Sequence, residues 1–225
     1  TPNLLTIPIE RKTPFTWESF DLIGNVVDDP GNFAIHTDSN IRSLDHLATH
    51  ARARPGQITV GTTGVGSDDH LAMLYFERIA GVKMNHVPFK GAADVRAAAQ
   101  GKQIDVAAVN IGEAMQAIKG GAPFRNLGQM SARRTDLAKD VPTFKELGLP
   151  QMLAYSWYGL VAPAATPTAL VEQINRAVND ALNLPGPSAI RFPKTAARNV
   201  AVEDCPGGLV GAKLRQGRSV CLLAV

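Results

Sequence analysis

The sequence predicts an α/β fold built largely on parallel strands, and three observations predict it. Short apolar runs alternate with helical stripes at the spacing of strand–helix–strand units. A glycine-rich loop, Gly61-Thr62-Thr63-Gly64-Val65-Gly66-Ser67, joins one such run to the start of a helix. Ile104 to Val109 is apolar except for Asp105, as expected of a strand buried on both faces.

At 225 residues the chain can bury a sizeable core, as one large domain or two small lobes. A formal charge of +3 with no run of Lys or Arg excludes nucleic acid as a partner. No apolar run approaches the ~20 residues that cross a bilayer, so no direct membrane insertion is expected. Thr1-Pro2-Asn3-Leu4 lacks the basic start and apolar core of a secretory signal, as a mature or trimmed chain also would. Cys205 and Cys221 make no zinc ligand set and read as free thiols, or as a single disulfide.

In chain order, residues 1–20 carry several prolines and mixed charges, and read as irregular surface chain. Leu22–Val27 and Phe33–His36 read as two short strands separated by the turn Asp28-Asp29-Pro30-Gly31. A helix follows Ser43, with Leu44, Leu47, Ala48 and Ala51 on one face, and stops at Arg54-Pro55-Gly56. Ile58-Thr59-Val60 is the strand before the glycine-rich loop. Ser67 and Asp68 cap the next helix, whose stripe is Leu71, Leu74, Tyr75 and Ile79.

The pattern then repeats. Met84–Val87 is a strand, Pro88-Phe89-Lys90-Gly91 a loop, and Ala92–Gln100 an alanine-rich helix ending at Gly101. After Ile104–Val109, Asn110-Ile111-Gly112 leads into a helix over 113–119. Asn126–Met130 is a further strand, residues 140–148 a short helix, and Tyr155–Ala162 another apolar run. Thr166-Pro167 starts a helix with the stripe Leu170, Val171, Ile174, Ala177, Val178, Ala181 and Leu182. Beyond Pro185 the period is lost and Arg191, Lys194, Arg198, Lys213, Arg215 and Arg218 outnumber Glu203 and Asp204. Right-handed crossovers between parallel strands send the loops near Thr62, Phe89 and Asn110 to one carboxyl edge, where open α/β sheets bind ligands.

The glycine-rich loop is the candidate site. Unpaired amides beside Gly64 and Gly66 and the positive end of the following helix favour a carboxylate or phosphate; the plain alternative is a strand-to-helix turn with a capping serine. A P-loop needs Gly-Lys before Ser or Thr, and here Ser67 follows Gly66 directly. A dinucleotide fingerprint needs a third glycine where Asp69 stands. No Gly-x-Ser-x-Gly elbow or His-Glu-x-x-His occurs, and only His46 and His50 share a helical spacing, as solvated residues or an adventitious metal pair. The sequence therefore predicts no catalytic residue, metal or cofactor; a small enzyme using the loop at 62–67 as an oxyanion site is the rival from another class.

Six ordered motifs carry a family resemblance: Arg54–Gly61 leading into Gly64–Ser67 with His70-Leu71; His86–Ala93; Gly101–Asp105; Ser131–Arg134; Asp140–Thr143 with Glu146–Gly148; and Ser156–Ala164 through Pro167. In this order the chain resembles the Bug (TctC-type) family of extracytoplasmic solute receptors, which serve tripartite tricarboxylate transporters. The resemblance covers about residues 15–185. It implies a two-lobed clamp of the periplasmic-binding-protein type II kind, a small carboxylate ligand, membrane transporter subunits as partners and a periplasmic location. Mapped here, it implies hinges near 33–37 and 158–163, with residues 1–37 a partial first lobe and first hinge strand. Residues 38–157 would then be a complete second lobe, 158–185 the second hinge and return helix, and 186–225 an atypical tail. The first lobe looks incomplete, so a truncated or degenerate receptor with no functional clamp is the alternative.

The resemblance also implies ligand contacts. Thr62, Thr63, Gly64, Val65, Gly66 and Ser67 would hold a carboxylate through amides and hydroxyls; Phe89, Lys90, Gly91 and Ala92 would line the pocket; Asn110 would reach it from the third loop. His70 matches a family position as a contact or as an orienting group. Two departures stand out: Val109 replaces a frequent aspartate, and Asp68-Asp69 adds negative charge beside the loop.

Overall fold

A computed structural model describes residues 3–185, in which the alternating pattern becomes a six-stranded mixed sheet with helices. The chain order is α1 (Asn3–Glu10), β1 (Phe20–His36), α2 (Leu44–Ala53), β2 (Thr59–Thr62), α3 (Asp68–Ala80), β3 (Asn85–Pro88) and α4 (Ala92–Gln100). Then follow β4 (Val106–Asn110), α5 (Ile111–Lys119), β5 (Phe124–Gln129), β6 (Tyr155–Pro163) and α6 (Thr168–Leu182). The sheet order is β3-β2-β4-β1-β5, with β6 also paired to β1.

The described residues fall into two units, one holding residues up to Trp17 with Val27–Tyr158, the other Glu18–Val26 with the described residues from Gly159 onward. Strands β1 and β6 contribute residues to both. In the first unit β2 pairs in parallel with β3 (Val60 opposite His86) and with β4 (Val60 opposite Val106). The loops after β2, β3 and β4 therefore do leave one edge. The parallel expectation fails at β1, which runs antiparallel to both β4 and β5.

Two apolar clusters pack against the sheet. Phe33, Phe76 and Phe144 meet edge to face at 5.5, 5.7 and 6.4 Å between ring centres, beside Leu47, Met73, Met130 and Met152. The second cluster joins Val95, Ala98, Ala99, Ile104, Val109 and Ala114 around α4 and α5. In the second unit α6 buries only Ala177 and Val178, while Leu170 and Leu182 of the expected stripe stay exposed. Asn175 Nδ2 donates to the Ile23 carbonyl there.

Several expectations are corrected. The turn at 28–31 is absent, because β1 runs unbroken through it. Tertiary partners hold the segment extended: Gly31 N–H donates to Ala154 O at 2.9 Å, Met130 N–H to Gly31 O at 2.8 Å, and Asn110 Nδ2 to Asp29 O at 2.8 Å. The N-terminal stretch is not wholly irregular, since half-buried Leu4 and Ile7 lie three apart on α1 and Arg11 N–H closes its last turn onto Ile7 O at 3.0 Å. Residues 140–148 form turns rather than a helix; Thr143 and Glu146 exchange hydrogen bonds as a capping box does, and Gly148 then turns the chain at φ +87°.

Helix α3 presents a different face from the expected one. It buries Asp69, Ala72, Met73, Phe76 and Glu77, leaving Leu71, Leu74 and Tyr75 about two-fifths exposed. Phe76 is drawn in by Phe33 and Phe144, and Glu77 is satisfied inside by Met84 N–H at 2.6 Å and Lys83 Nζ at 3.0 Å. A buried carboxylate with two donors costs little, so aromatic packing sets the rotation of the helix. The expectations for residues 186–225, including both cysteines, lie outside the described residues.

Candidate functional site

The loop after β2 is closed by its own side chains. Its glycines make the bend possible, Gly64 at φ +131° and Gly66 at φ +71°. Ser67 caps α3 as expected, its Oγ accepting from His70 N–H at 3.2 Å while donating to Gly64 O at 2.8 Å. Gly66 N–H donates to His70 Nδ1 at 3.1 Å, and Gly64 N–H makes a long 3.4 Å approach to Thr62 Oγ1. The expectation of unpaired amides beside Gly64 and Gly66 is thus corrected, and the reason is His70. One turn into α3 its ring folds back onto the loop, which an amphipathic pattern does not reveal.

The remaining expected residues are placed as follows. Thr62 is fully buried, its Oγ1 2.6 Å from His86 Nε2, and Thr63 Oγ1 donates to Asp69 at 2.6 Å. Val65 is exposed at the loop tip. Phe89 N–H donates to Thr62 O at 2.9 Å, tying the second loop to the first. Its ring packs, partly buried, on the second apolar cluster, as does Ala92. Lys90 is exposed, and Gly91 is the N-cap of α4. Asn110 is buried and donates through Nδ2 to Asp29 O and to Asp68 Oδ2, the latter at 3.3 Å, linking the third loop to the start of α3. The structure therefore brings 62–67, His70, the Phe89 backbone and Asn110 together at the carboxyl edge.

Two groupings escape sequence reasoning, although the sequence singles out His70 and Asp68-Asp69 each by themselves. His70 and His86 stack with ring centres 3.9 Å apart and planes within 9°. Burial holds both imidazoles below the usual histidine range, with the neighbouring ring adding to it at His86. The signal was available: each histidine lies in a quoted motif, and the parallel pairing of β2 with β3 puts His86 beside the loop. The second group is acidic. Asp29 and Glu113 are raised by burial, opposed chiefly by the Gly112 amide and by Arg96 respectively, with Asp68 raising both. Asp69, only 2% exposed, is pushed up to about 8 by burial and then by Asp68. A largely protonated Asp69 removes one of the negative charges that Asp68-Asp69 would bring to an anion site.

Ser67 Oγ donates to a carbonyl rather than to a base, and His70 Nδ1 is occupied by an amide, so these two are not paired as nucleophile and base; the hydroxyl–imidazole contact at the loop is that of buried Thr62 with half-buried His86. Among the described residues no group of three or more His, Cys, Asp or Glu could hold a metal ion, and His50 instead lies 3.2 Å from Arg54 Nη2. No helix among them is long and apolar enough to cross a membrane. Two clefts lie elsewhere, one of about 330 Å³ lined by His36, His50, Arg54 and Lys102, the other of about 460 Å³ lined by Ser131, Arg133 and Tyr155.

Residues 3–192 match the sequence model described as the tripartite tricarboxylate transporter family receptor. BugT of Bordetella pertussis is 27% identical over 178 residues, which are 79% of this chain and 54% of BugT. MatC from Rhodopseudomonas palustris, solved with bound malate, superposes with a TM-score of 0.69 at 26% identity, over 78% of this chain and 60% of MatC. Another R. palustris protein, solved with adipate, gives 0.68 at 26% identity, over 74% of this chain and 56% of its own. The chain spans about half the length of the curated relatives it matches.

Proposed function

This chain belongs to the tripartite tricarboxylate transporter family of receptors, and from that membership we propose that it acts in capturing a small carboxylated solute for a membrane transporter. The observation that carries the reading is the match over residues 3–192 to a receptor family with neighbours solved holding malate and adipate. The matched family is one of transporter receptors, and a further neighbour is described as a TctC solute binding protein. The same membership supports a periplasmic location and membrane transporter subunits as partners.

The proposed contacts are the loop 62–67, His70, the segment 89–92 and Asn110. The convergence of 62–67, His70, the Phe89 backbone and Asn110 at the carboxyl edge of parallel β2, β3 and β4 supports the assignment. Amides at the start of α3, which have no acceptor within the helix, are the donors for a ligand carboxylate. Buried hydroxyls of Thr62 and Ser67 hold the bend in shape, and selectivity between carboxylates falls to polar groups and ordered water. Strands β1 and β6, which serve both units, are the proposed hinge of a closing clamp.

A receptor without a working clamp is the second reading, favoured by the engagement of the Gly66 amide with His70. Isothermal titration of the chain with malate, adipate and other small carboxylates separates the two. The first reading expects saturable 1:1 heat with one of them, weakened at least tenfold by Gly66→Val. Heat from none of them favours the second.

A further inference from the structure

Helix α1 ends on a carboxylate that sits against the glycine loop. The Glu10 carboxyl group lies over Gly66 so closely that a Cβ built there would collide with Glu10 Oε1 and stand 2.7 Å from its Cδ. Glycine is therefore required at 66 twice over, by φ and by this neighbour. Nothing in the site as described so far uses Glu10.

The surroundings say what that carboxylate is doing. Beneath it, His70 accepts the Gly66 amide through Nδ1 and stacks on His86, whose Nε2 reaches Thr62 Oγ1. Glu10 and Glu77 both act on the His70 ring to favour its charged form, while Lys83 and burial oppose it, burial most strongly. His86 feels His70, Glu77 and its own burial. The chain thus places a carboxylate of its own at the bend that the carboxylate reading assigns to a ligand.

We propose that Glu10 is a specificity-determining residue of the ligand site: its carboxylate occupies the ground over Gly66, so an incoming ligand carboxylate must displace it. The inference rests on the carboxylate reading above. Glu10 lowers the fraction of molecules competent to bind and repels ligands by their negative charge, so dianions are disfavoured more than ligands carrying a compensating positive group.

The test compares the intact chain with Glu10→Gln, a change at an exposed side chain of similar size, and with Glu172→Gln on α6 as a control for net charge. Malate titration should show about three- to tenfold tighter binding for Glu10→Gln, with the gain shrinking in 1 M salt. Glu172→Gln should bind as the parent chain does. Equal affinity of Glu10→Gln and parent overturns the proposal, and so does an equal gain in Glu172→Gln. NMR titration of the His70 ring in ligand-free protein provides a readout that needs no ligand. Loss of the Glu10 charge should move its midpoint downward; an unmoved midpoint means that Glu10 is not seated on the loop, and overturns the proposal whatever the affinities. Failure of malate and adipate to bind either protein counts against the carboxylate reading, and the His70 midpoint still judges the seat.

Discussion

Asp69 shows how a single side chain couples the loop to solution conditions. Its carboxyl, buried and bonded to Thr63, is pushed up to about 8 from an ordinary 3.8. Between those values the folded chain holds a proton that the unfolded chain has released, so this group makes stability fall as pH rises. The full benefit is present below about pH 4 and is gone above about pH 8. His70 and His86 act in the opposite sense: their lowered midpoints let the unfolded chain bind protons first, so stability is lost as pH falls below the usual histidine value of 6.5. Replacing Asp69 with Asn should flatten the decline between pH 6.5 and 8 and leave the acid-side loss in place. Urea midpoints taken at half-unit intervals would show it, and an unchanged slope above pH 6.5 would place the titrating group elsewhere.

At the scale of elements, β2 is a four-residue strand between β3 and β4 on which the glycine loop is mounted. Gly61 is there for closeness. A Cβ at that position would run into Ile104 Cδ1 and press on Phe89 at 3.1 Å and Val95 at 3.2 Å, side chains already packed together. Gly61→Ala should therefore cost about 1–3 kcal/mol through overpacking, measured by denaturant unfolding, and should loosen the Phe89 segment with it. A change below a few tenths of a kcal/mol would mean that the cluster yields freely. The turn residues at 28–31 illustrate the reverse case, where partners on β4 and the 130–154 segment overrule local propensity.

For the whole molecule, ligand capture should register as stability. A ligand that binds the folded chain alone, supplied at a hundred times its dissociation constant, adds about 2.7 kcal/mol. For a chain of this length that is a rise in melting temperature of roughly 5–10 °C, visible by scanning calorimetry. Malate or adipate leaving the transition unmoved at millimolar concentration would argue that the chain holds neither. The family membership places this chain among receptors, and Asp29, Asp68 and Glu113 set three acidic groups near the loop.

Much of this was legible in the sequence. The alternation of elements, the capping by Ser67, the apolar strand ending at Asn110 and the six motifs depend on local spacing and turn chemistry, and these gave the fold class, the family and the edge to which the site is proposed to belong. Tertiary structure alone decided which face of α3 is buried, that β1 runs unbroken and antiparallel, and how the loop is filled. His70, His86, Asp69 and Glu10 meet there only because strand pairing and helix placement carry residues from three segments to one bend. Periodicity reports what a segment prefers with its neighbours in the chain; whether an amide is free or a carboxyl keeps its proton depends on groups that folding brings close.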